Sequence, residues 1–490
     1  EPLPAALRVR ERLLDRPGAL RAAHFPLAAE DHEQARRRLA FEELLFAQLA
    51  LQQRRRNRQA GVAAPELAGP RELTARWLER ELPFALTGDQ HAALTEVDAD
   101  IGRGEPMQRL LMGEVGSGKT VVALYAMLRA VEHGFQAALM APTETLAEQH
   151  FLTIEGTCRA LGVRAVLLTS ALPAREHAAV REQIAAGEAQ IAVGTHALIQ
   201  REVAFSRLGV AVVDEQHRFG VEQRKALSGA GSPHVLHMTA TPIPRTLALT
   251  VYGDLAVSEI ARPPADRKPV VTRWIPEERA SAAYERLRRL LAEGRQAYVV
   301  CPLVEESEVS RARAAEQEAQ RLREGELREF RVGCVHGRLR PAERRELMAA
   351  FKERELDVLV ATTVIEVGVD VPNATVMIVQ EADRFGLAQL HQLRGRVGRG
   401  AEQSFCVLVS RPTEELTESA QKRLDALVAT TDGFELAEVD LDLRSTGQLL
   451  GTRQSGTSDL RFANFKRDRA LLEQARAIAR RSPALFESPD

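Results

Sequence analysis

Cysteine is scarce in this sequence of 490 residues, with four in total. The four lie far apart and none belongs to a C-x-x-C pair, so we expect neither a disulfide framework nor a cysteine zinc site. A reducing compartment, the cytoplasm, is therefore the expected location. The cysteines are Cys158, Cys301, Cys334 and Cys406.

Long apolar runs and a net charge are also missing. No apolar stretch reaches the roughly 18 residues that a membrane helix needs, and the N-terminus lacks the basic and then apolar pattern of a signal peptide. A soluble protein is expected. Because 66 Lys and Arg residues nearly balance 68 Asp and Glu residues, attraction to a polyanion has to come from local patches. The chain begins at Glu1 rather than at methionine, which suggests a fragment or a processed product.

What is present is the composition of a folded protein with several domains. Hydrophobic residues make up 45% and charged residues 27%, close to globular averages, and a length of 490 residues at roughly 150 per domain predicts about three domains. Residues 1–65 have apolar positions at helical spacing and predict a helical lead-in. Arginines at positions 36–38 indicate either phosphate contacts or, more often for such a pattern, a solvated helix face.

Two series of short apolar runs follow, and each alternates with helical segments. Unbroken apolar runs between helices predict parallel strands that are covered on both faces. Pro263, Pro264 and Pro269 separate the series, so the predicted fold class is α/β with two tandem parallel-sheet domains, a helical lead-in and a C-terminal helical element. The predicted domains are 1–65, 66–264, 265–415 and 416–490. The predicted strands are 109–112, 137–141, 191–194, 210–213 and 235–239, then 297–301, 332–335, 358–361, 376–379 and 405–409.

Residues 113–120 read GEVGSGKT and match the phosphate-binding pattern G-x-x-x-x-G-K-[ST] between a predicted strand and a predicted helix. The glycines let backbone N–H groups close around phosphates, and the helix N-terminus favours negative charge. Lys119 would reach the β- and γ-phosphates, and the Thr120 hydroxyl would bind Mg²⁺. A flexible glycine-rich turn is the competing interpretation, which the flanking strand and helix disfavour. The candidate nucleotide-binding residues are Gly113, Gly116, Ser117, Gly118, Lys119 and Thr120.

An acidic pair, Asp214 and Glu215, directly follows the apolar run at 210–213. Ligands of open parallel sheets gather at the carboxyl ends of the strands. There Asp214 would hold Mg²⁺ through water, and Glu215 would polarise the attacking water. Taken alone, such a pair more often forms a turn or a helix cap, but the phosphate loop earlier in the chain reverses that preference.

Upstream of the loop, Phe84, Thr87 and Gln90 suggest an adenine pocket. The Gln90 amide can both donate to and accept from an adenine edge while Phe84 lies against the ring. The alternative is a helix cap at Thr87 followed by a surface glutamine. These residues alone do not decide between the two.

The second domain contains the segment QLRGRVGRG at residues 392–400, which has three arginines and three glycines. Glycines weaken a helix, so a simple charged helical face is disfavoured. Arginine forks that approach a γ-phosphate from across a cleft would stabilise charge in the transition state. Arg396 and Arg399 are the candidates for this role, and a structural cluster of salt bridges is the alternative.

In their order along the chain, these blocks resemble the motifs of superfamily 2 helicases and translocases. Longer strings look like the RecG family, and the resemblance covers about residues 20–470. It implies an ATP-dependent double-stranded DNA translocase that remodels stalled replication forks and recombination junctions in DNA repair and recombination. The further blocks are APTE at 141–144, GTH at 194–196, DEQHRFGVEQR at 214–224, TATPIPRT at 239–246, ATTVIEVGVDVPN at 361–373 and LLGTRQ at 449–454.

The resemblance also implies two RecA-like domains, ATP and Mg²⁺ as cofactors, and hydrolysis by Asp214 and Glu215 with Arg396 and Arg399. Its implied partners are branched and double-stranded DNA, with single-stranded DNA-binding protein as a further candidate. It implies a monomer that works with the nucleoid in the bacterial cytoplasm. Gln392 and His217 would couple the lobes, Thr143, Thr195 and Thr363 would contact DNA phosphates, and Arg423, Arg444 and Gln454 would link ATP state to movement of a translocation element at about 423–456.

The sequence departs from the family pattern at two places. Where the family usually has Arg-Gly-Pro-Gly, residues 444–447 read Arg-Ser-Thr-Gly, which alters the flexibility expected of the translocation loop. Family members also carry an N-terminal wedge domain of the OB type that splits the fork. Residues 1–65 resemble the helices that follow the wedge, so the sequence predicts a motor portion with impaired fork recognition.

Three alternative functions are weighed against this one. The motor of a transcription-repair coupling factor shares the translocation element, but Gln216 and the pair Thr452 and Arg453 favour RecG. A nucleic-acid-binding scaffold without hydrolysis is disfavoured because every hydrolytic position is filled. An RNA helicase that opens strands is the remaining alternative.

Overall fold

The computed structural model describes residues 1–59, 63–200, 202–215, 232–239, 255–261, 268–301, 308–362, 371–400, 402–443, 461–464 and 467–481. The chain divides into two compact units, one of residues 1–62, 243–256 and 440–490, and the other of residues 63–242 and 257–439. This division assigns residues 416–439 and 440–490 to different units, whereas the sequence analysis groups them as one element. Among the described helices, none has both the length and the apolar composition required to cross a bilayer.

The described elements up to residue 261 are helical at the N-terminus and then alternate between strands and helices. A π-helical turn, Trp77–Glu81, continues the fourth helix. The helices are α1 (Ala5–Arg10), α2 (Arg16–His24), α3 (Ala29–Gln59), α4 (Glu72–Arg76), α5 (Gly88–Ile101), α6 (Lys119–Glu132), α7 (Glu144–Leu161) and α8 (Ala174–Ala185). The strands are β1 (Gln108–Gly113), β2 (Gln136–Met140), β3 (Ala165–Leu168), β4 (Ile191–Gly194), β5 (Leu208–Asp214), β6 (His234–Thr239) and β7 (Ala256–Ile260).

From residue 268 the described chain alternates again and ends in helices. The strands are β8 (Val271–Pro276), β9 (Gln296–Val300), β10 (Val332–Val335), β11 (Val358–Ala361), β12 (Ala374–Val379) and β13 (Phe405–Ser410). The helices are α9 (Ala280–Ala292), α10 (Glu308–Glu324), α11 (Pro341–Lys352), α12 (Leu387–Arg394), α13 (Glu418–Ala429), α14 (Gly433–Leu443) and α15 (Arg469–Arg481).

Two parallel sheets organise the larger unit. In the described chain, strands β1–β7 form a sheet in the order β3-β4-β2-β5-β6-β1-β7, and β8–β13 form a second in the order β10-β11-β9-β12-β13-β8. The registers of β1 with β6 and of β9 with β11 and β12 are parallel. We call the seven-stranded sheet with its helices the first lobe and the six-stranded sheet with its helices the second lobe. The predicted fold class is confirmed.

The inner strands are apolar throughout because helices cover both of their faces. Every residue of β2, β5 and β9 is buried, as a parallel sheet between two helical layers requires. Helix α6 supplies much of one layer, with residues 122–131 all buried. The carboxyl ends of β1, β5 and β6 therefore emerge side by side from a rigid core, which fixes the residues that follow them.

The described part of the smaller unit is mainly helical, and its packing explains Arg36 and Arg38. Helix α15 packs its apolar face, including Leu472 and Ala475, in one cluster with Phe41 and Leu44 of α3. Arg38 is fully buried and donates to the Glu42 carboxylate and to the Leu14 carbonyl, and Arg36 donates to Asp468 at 2.7 Å. A buried arginine is retained only with such partners. Neither a solvated face nor a phosphate contact describes Arg36 and Arg38.

A buried histidine in the first lobe forms hydrogen bonds with two segments that are distant in sequence. His234 Nδ1 accepts from the Met107 backbone N–H at 3.1 Å, so Nε2 carries the proton and donates to the Pro65 carbonyl at 2.7 Å. Burial lowers the pKa of His234 below its usual value, although the Pro65 carbonyl and the nearby Asp100 carboxylate partly oppose this shift. His234 is therefore neutral in the folded protein at neutral pH.

Stability should consequently fall as the pH drops below about 6.5, the usual histidine value, because the unfolded chain then binds the proton first. Protonation of Nδ1 also removes the bond from Met107, which is worth about 1 kcal/mol. We expect thermal unfolding midpoints at pH 7.5 and 5.5 to differ less in His234→Asn, whose amide oxygen still accepts but does not titrate. An unchanged pH dependence in this variant would contradict the assignment.

None of the four cysteines, all of which the structure describes, forms a disulfide. Burial raises the pKa of Cys158 and of Cys406 to about 12 and that of Cys334 to about 11, and it raises the pKa of Cys301 further still. Thiols are reactive as thiolates. These four side chains are therefore packing residues with little chemical reactivity at neutral pH.

Candidate active site

One groove in the larger unit collects most of the residues that the sequence singles out for chemistry. The carboxyl ends of β1, β5 and β6 form one wall, and the end of α12 with the segment after it forms the facing wall. Among the described residues that line the groove are Gly116, Lys119, Thr120, His150, Asp214, Glu215, Gln392, Arg396 and Arg399. Both lobes thus present polar groups to the same space.

The phosphate loop has the backbone that an anion needs. Gly116 and Gly118 have φ of +79° and +89°, a left-handed conformation that L side chains rarely adopt. A β-carbon on Gly118 would collide with the Gln90 amide. The N-terminus of α6 has no side-chain cap, so its first N–H groups are left for a bound anion. The buried Ser117 hydroxyl also has no hydrogen-bond partner among the described residues. These features fit a bound phosphate chain.

The Lys119 side chain forms hydrogen bonds with the backbone of its own phosphate loop. Its Nζ donates to the carbonyls of Gly113 and Glu114, each at 2.8 Å. Desolvation lowers the pKa of Lys119 to about 8, against the opposing effect of Asp214 and Glu215. Burial thus disfavours the charged form of Lys119, and the negative charge of a bound polyphosphate would favour that form.

The acidic pair lies at the end of β5 with a partner that the sequence analysis missed. His150 of α7 donates from Nε2 to Asp214 Oδ2 at 2.8 Å. Burial acts to raise the pKa of Asp214, but the hydrogen bond and charge of His150 and the charge of Lys119 outweigh it, so the pKa is lowered and the carboxylate stays ionised. A histidine six residues into a helix gives no signal in a single sequence, because only the fold brings it to Asp214.

Glu215 has an unusual backbone. Its φ is +52°, in the left-handed region, and its N–H donates to Asp214 Oδ1 at 3.0 Å. A non-glycine residue in this conformation is uncommon and costs about 1 kcal/mol or more. The Glu215 side chain lines the groove.

The predicted adenine contacts lie beside the loop, in a different arrangement from the one expected. Thr87 and Gln90 form a capping box at the start of α5, and Gln90 Nε2 donates to the Ser117 carbonyl at 3.0 Å. Gln90 is buried rather than at the surface, whereas Phe84 is 51% exposed. The helix cap is thus present, and the amide braces the phosphate loop. Contact of Gln90 or Phe84 with a base stays a prediction.

The three arginines of the segment 392–400 have two different environments. Arg396 and Arg399 line the groove with Gln392, and Arg399 Nε also reaches the Gly395 carbonyl at 3.4 Å. Arg394 is buried and donates instead to the carbonyls of Leu427, Thr430 and Thr431. Two arginines therefore face the phosphate loop, and the third holds the chain that follows α13.

The residues predicted to contact DNA or to couple the lobes are only partly described. The Thr143 and Thr195 hydroxyls accept backbone N–H groups at the starts of α7 and of the 3-10 turn His196–Ile199. Arg423 donates to the Asp383 carbonyl at 2.9 Å. Contact of these residues with DNA stays a prediction. His217, Thr363, Arg444 and Gln454 lie outside the described residues.

An ion pair joins the lobes near the groove. Arg345 of α11 lies 3.4 Å from the Glu148 carboxylate of α7, with about half of the arginine side chain exposed. Such exposed pairs contribute between zero and about 1 kcal/mol and are screened by salt. The two lobes are therefore in contact through a weak polar link beside the site.

Two parallel-sheet lobes that share a groove with a phosphate loop, an acidic pair and facing arginines define the two-lobed helicase motor as a class. Family models agree: DEAD/DEAH box helicase matches residues 87–250, and Helicase conserved C-terminal domain matches residues 282–401. A third model, ATP-dependent DNA helicase RecG, domain 3, C-terminal, matches residues 430–485.

Comparison with individual proteins identifies the family within this class. The chain is 48% identical over 98% of its length to ATP-dependent DNA helicase RecG of Streptococcus pneumoniae, of which it covers 71%. It is 47% identical to the protein of the same description from Escherichia coli strain K12, of which it covers 68%, and 45% identical to that of Synechocystis, of which it covers 59%. The chain belongs to the RecG family and spans about three fifths to seven tenths of these relatives.

Solved structures give the same result for the fold. A structure described as RecG bound to three-way DNA junction matches with a TM-score of 0.75 and 40% identity, over 96% of this chain and 62% of that one. The helicase MrfA bound to DNA matches with a TM-score of 0.56 at 18% identity, over 78% of this chain and 57% of that one. The second likeness shows a shared fold alone.

Proposed function

We propose that this chain is an ATP-driven double-stranded DNA translocase that remodels branched DNA, such as stalled replication forks and recombination junctions. The observation that carries the proposal is the single groove in which Lys119, Asp214 and Glu215 of one lobe face Arg396 and Arg399 of the other. Membership of the RecG family and a structural relative bound to a three-way junction support DNA as the partner. Its bacterial relatives support work in the cytoplasm on nucleoid DNA.

In this proposal the first lobe binds ATP and prepares the attacking water. Lys119 and the loop N–H groups bind the β- and γ-phosphates, because these are the cationic and donor groups at the loop. Glu215 orients and polarises the water that attacks the γ-phosphate. Thr120 and Asp214 are the oxygen ligands suited to Mg²⁺, which would neutralise phosphate charge when bound.

In this proposal the second lobe stabilises the transition state of ATP hydrolysis and links hydrolysis to movement of the lobes. Arg396 and Arg399 bring guanidinium groups to the side of the groove opposite Lys119, where charge develops on the transferred phosphoryl group. Gln392 lines the same space. Closure of the lobes on ATP and their opening after hydrolysis would then move DNA bound through its backbone, independently of base sequence.

The proposal is tested by measuring ATP hydrolysis with duplexes of increasing length, a synthetic three-way junction, and RNA. A translocase should hydrolyse more ATP on longer duplexes, and it should displace a third strand from a triplex in an ATP-dependent reaction. Junctions should stimulate hydrolysis at least as well as linear duplexes of equal length.

Stimulation by RNA alone would favour an RNA helicase, and turnover without any nucleic-acid effect would contradict the proposal. Release of stalled RNA polymerase, tested in parallel, would instead favour the motor of a transcription-repair coupling factor.

A further inference from the structure

A hydrogen bond connects the phosphate loop to the start of α14. The Gly433 backbone N–H donates to Glu114 Oε1 at 2.6 Å, across 319 positions in sequence. Gly433 is the first residue of α14, and the next two N–H groups donate to the Asp432 carboxylate. The first N–H groups of this helix, which have no acceptor within the helix, are thus shared between its own capping residue and a carboxylate of the phosphate loop.

Glu114 also contacts Lys119, the cation of the phosphate loop. Its backbone carbonyl accepts from Lys119 Nζ at 2.8 Å, as does the Gly113 carbonyl. A lysine ammonium has three N–H donors, and two of them are used here on neutral carbonyls. A bound polyphosphate offers charged oxygens, which form stronger hydrogen bonds with an ammonium group than carbonyls do. ATP binding therefore competes for Lys119 with the carbonyl of Glu114.

The second lobe holds the same turn from the other side. Arg394 donates to the carbonyls of Leu427 in the last turn of α13 and of Thr430 and Thr431 in the turn before α14. It also donates to His391 Nδ1 at 3.0 Å, so the other ring nitrogen of His391 carries the proton. That nitrogen lies 4.0 Å from Glu114 Oε1, and both side chains are largely buried. The start of α14 is thus held by the phosphate loop and by the arginine segment together.

We propose that Glu114 is a positioning residue that transmits nucleotide state from Lys119 to helix α14. This inference rests on the proposed translocase function. Lys119 restrains the Glu114 backbone through its carbonyl, while the Glu114 side chain restrains Gly433. When ATP draws Lys119 away, the Glu114 backbone is released and its carboxylate shifts relative to Gly433. Helix α14 ends at Leu443, directly before Arg444, where the predicted translocation loop begins, so a shift of its first turn is delivered toward that loop.

Three variants separate this role from a stabilising contact. Glu114→Ala removes the acceptor, and Glu114→Gln keeps an acceptor without the charge. Gly433→Pro removes the donor without touching the phosphate loop, and proline is tolerated at the first position of a helix. The decisive quantity is the coupling ratio, defined as the rate of triplex displacement divided by the rate of DNA-stimulated ATP hydrolysis.

We expect Glu114→Ala and Gly433→Pro each to lower the coupling ratio by at least about fivefold, the lower end of usual coupling between sites. Glu114→Gln should retain more than half of the wild-type ratio. The double variant of Glu114→Ala with Gly433→Pro should be no worse than either single one, because both remove the same bond. Hydrolysis without DNA should be unchanged in Gly433→Pro. Wild-type ratios in both single variants, or additive losses in the double variant, would overturn the inference.

Hydrogen exchange supplies a readout that does not depend on activity. In the wild type, adding a non-hydrolysable ATP analogue should change amide exchange in the peptide covering residues 430–439. In Glu114→Ala this response should be lost while the analogue still protects the phosphate loop. An equal response in both proteins would contradict the inference. If DNA fails to stimulate hydrolysis in the wild type, the proposed function itself fails, and the exchange experiment still reports on the Glu114 link.

Discussion

Replacing Glu215 by glutamine is expected to slow ATP hydrolysis by about 10²–10⁴-fold, the usual contribution of a general base. The amide has nearly the same size and shape as the carboxylate, so the backbone turn at Glu215 is preserved. It cannot take a proton from the attacking water, and it polarises that water less. Nucleotide binding should persist because Lys119 and the loop N–H groups are unchanged. The measurement is DNA-stimulated phosphate release under saturating ATP, beside the affinity for a fluorescent ATP analogue.

Lys119→Ala is the matched comparison, because it removes the cation that we propose binds the phosphates. This variant should lose both hydrolysis and measurable analogue binding, whereas Glu215→Gln should lose hydrolysis alone. A Glu215→Gln protein that hydrolyses ATP at the wild-type rate would show that another group activates the water. Loss of analogue binding in that variant would instead show that Glu215 helps to shape the binding site.

Removing the guanidinium of Arg399 should have an effect of similar size on the chemical step. Arginine fingers contribute about 10³–10⁵-fold to phosphoryl transfer, and Arg399 lines the same groove as Lys119 and Glu215. In Arg399→Ala we therefore expect kcat to fall by a factor in that range while the affinity for ATP changes little. Arg396→Ala should behave in the same way, with the smaller of the two losses marking the arginine that acts less directly.

Two controls separate this effect from a general loss of positive charge. Arg399→Lys keeps the charge but not the planar fork, so it should recover little activity. Arg289, on the exposed face of α9, pairs with Glu285 in the same lobe, and Arg289→Ala should leave kcat within about twofold, as is usual for surface substitutions. Near-normal kcat in Arg399→Ala and in Arg396→Ala would exclude an arginine-finger mechanism. A large rise in KM with unchanged kcat would instead assign these arginines to binding.

The strands that the sequence predicts are, with one exception, inner strands, and those it misses lie at sheet edges. Strands β3, β7 and β8 were not predicted, and each ends a sheet. They have partly exposed residues among buried ones, as in Ala165–Leu168 and Val271–Pro276. β7 (AVSEI) and β8 (VTRWIP) contain polar residues and so lack the continuous apolar run that marks a buried parallel strand, whereas β3 (AVLL) has such a run and was missed. β10 is the edge strand that was found, since three of its four residues are buried.

In the candidate site, too, some residues could be recognised from short sequence segments and others only from contacts between distant segments. The phosphate loop could be predicted because one short segment contains its whole signal, and Asp214 and Glu215 could be predicted once that loop was recognised. His150 could not, because its partnership with Asp214 depends on the packing of α7 against the sheet, where α7 contacts β3 and β4. The inward orientation of Gln90 and the burial of Arg38 also depend on distant partners. Sequence patterns therefore predict which groups carry the chemistry, and tertiary contacts determine which groups hold them in place.

The protected thiols make the protein suitable for spectroscopic labelling. Because burial holds the four native cysteines in their protonated form, a maleimide dye should react slowly with them in the folded protein. Cysteines introduced at Arg345 and Glu148, which form a partly exposed ion pair between the lobes, would then be modified selectively. A donor and acceptor fluorophore at these two positions would report the distance between the lobes during each round of ATP hydrolysis, without prior removal of the native cysteines.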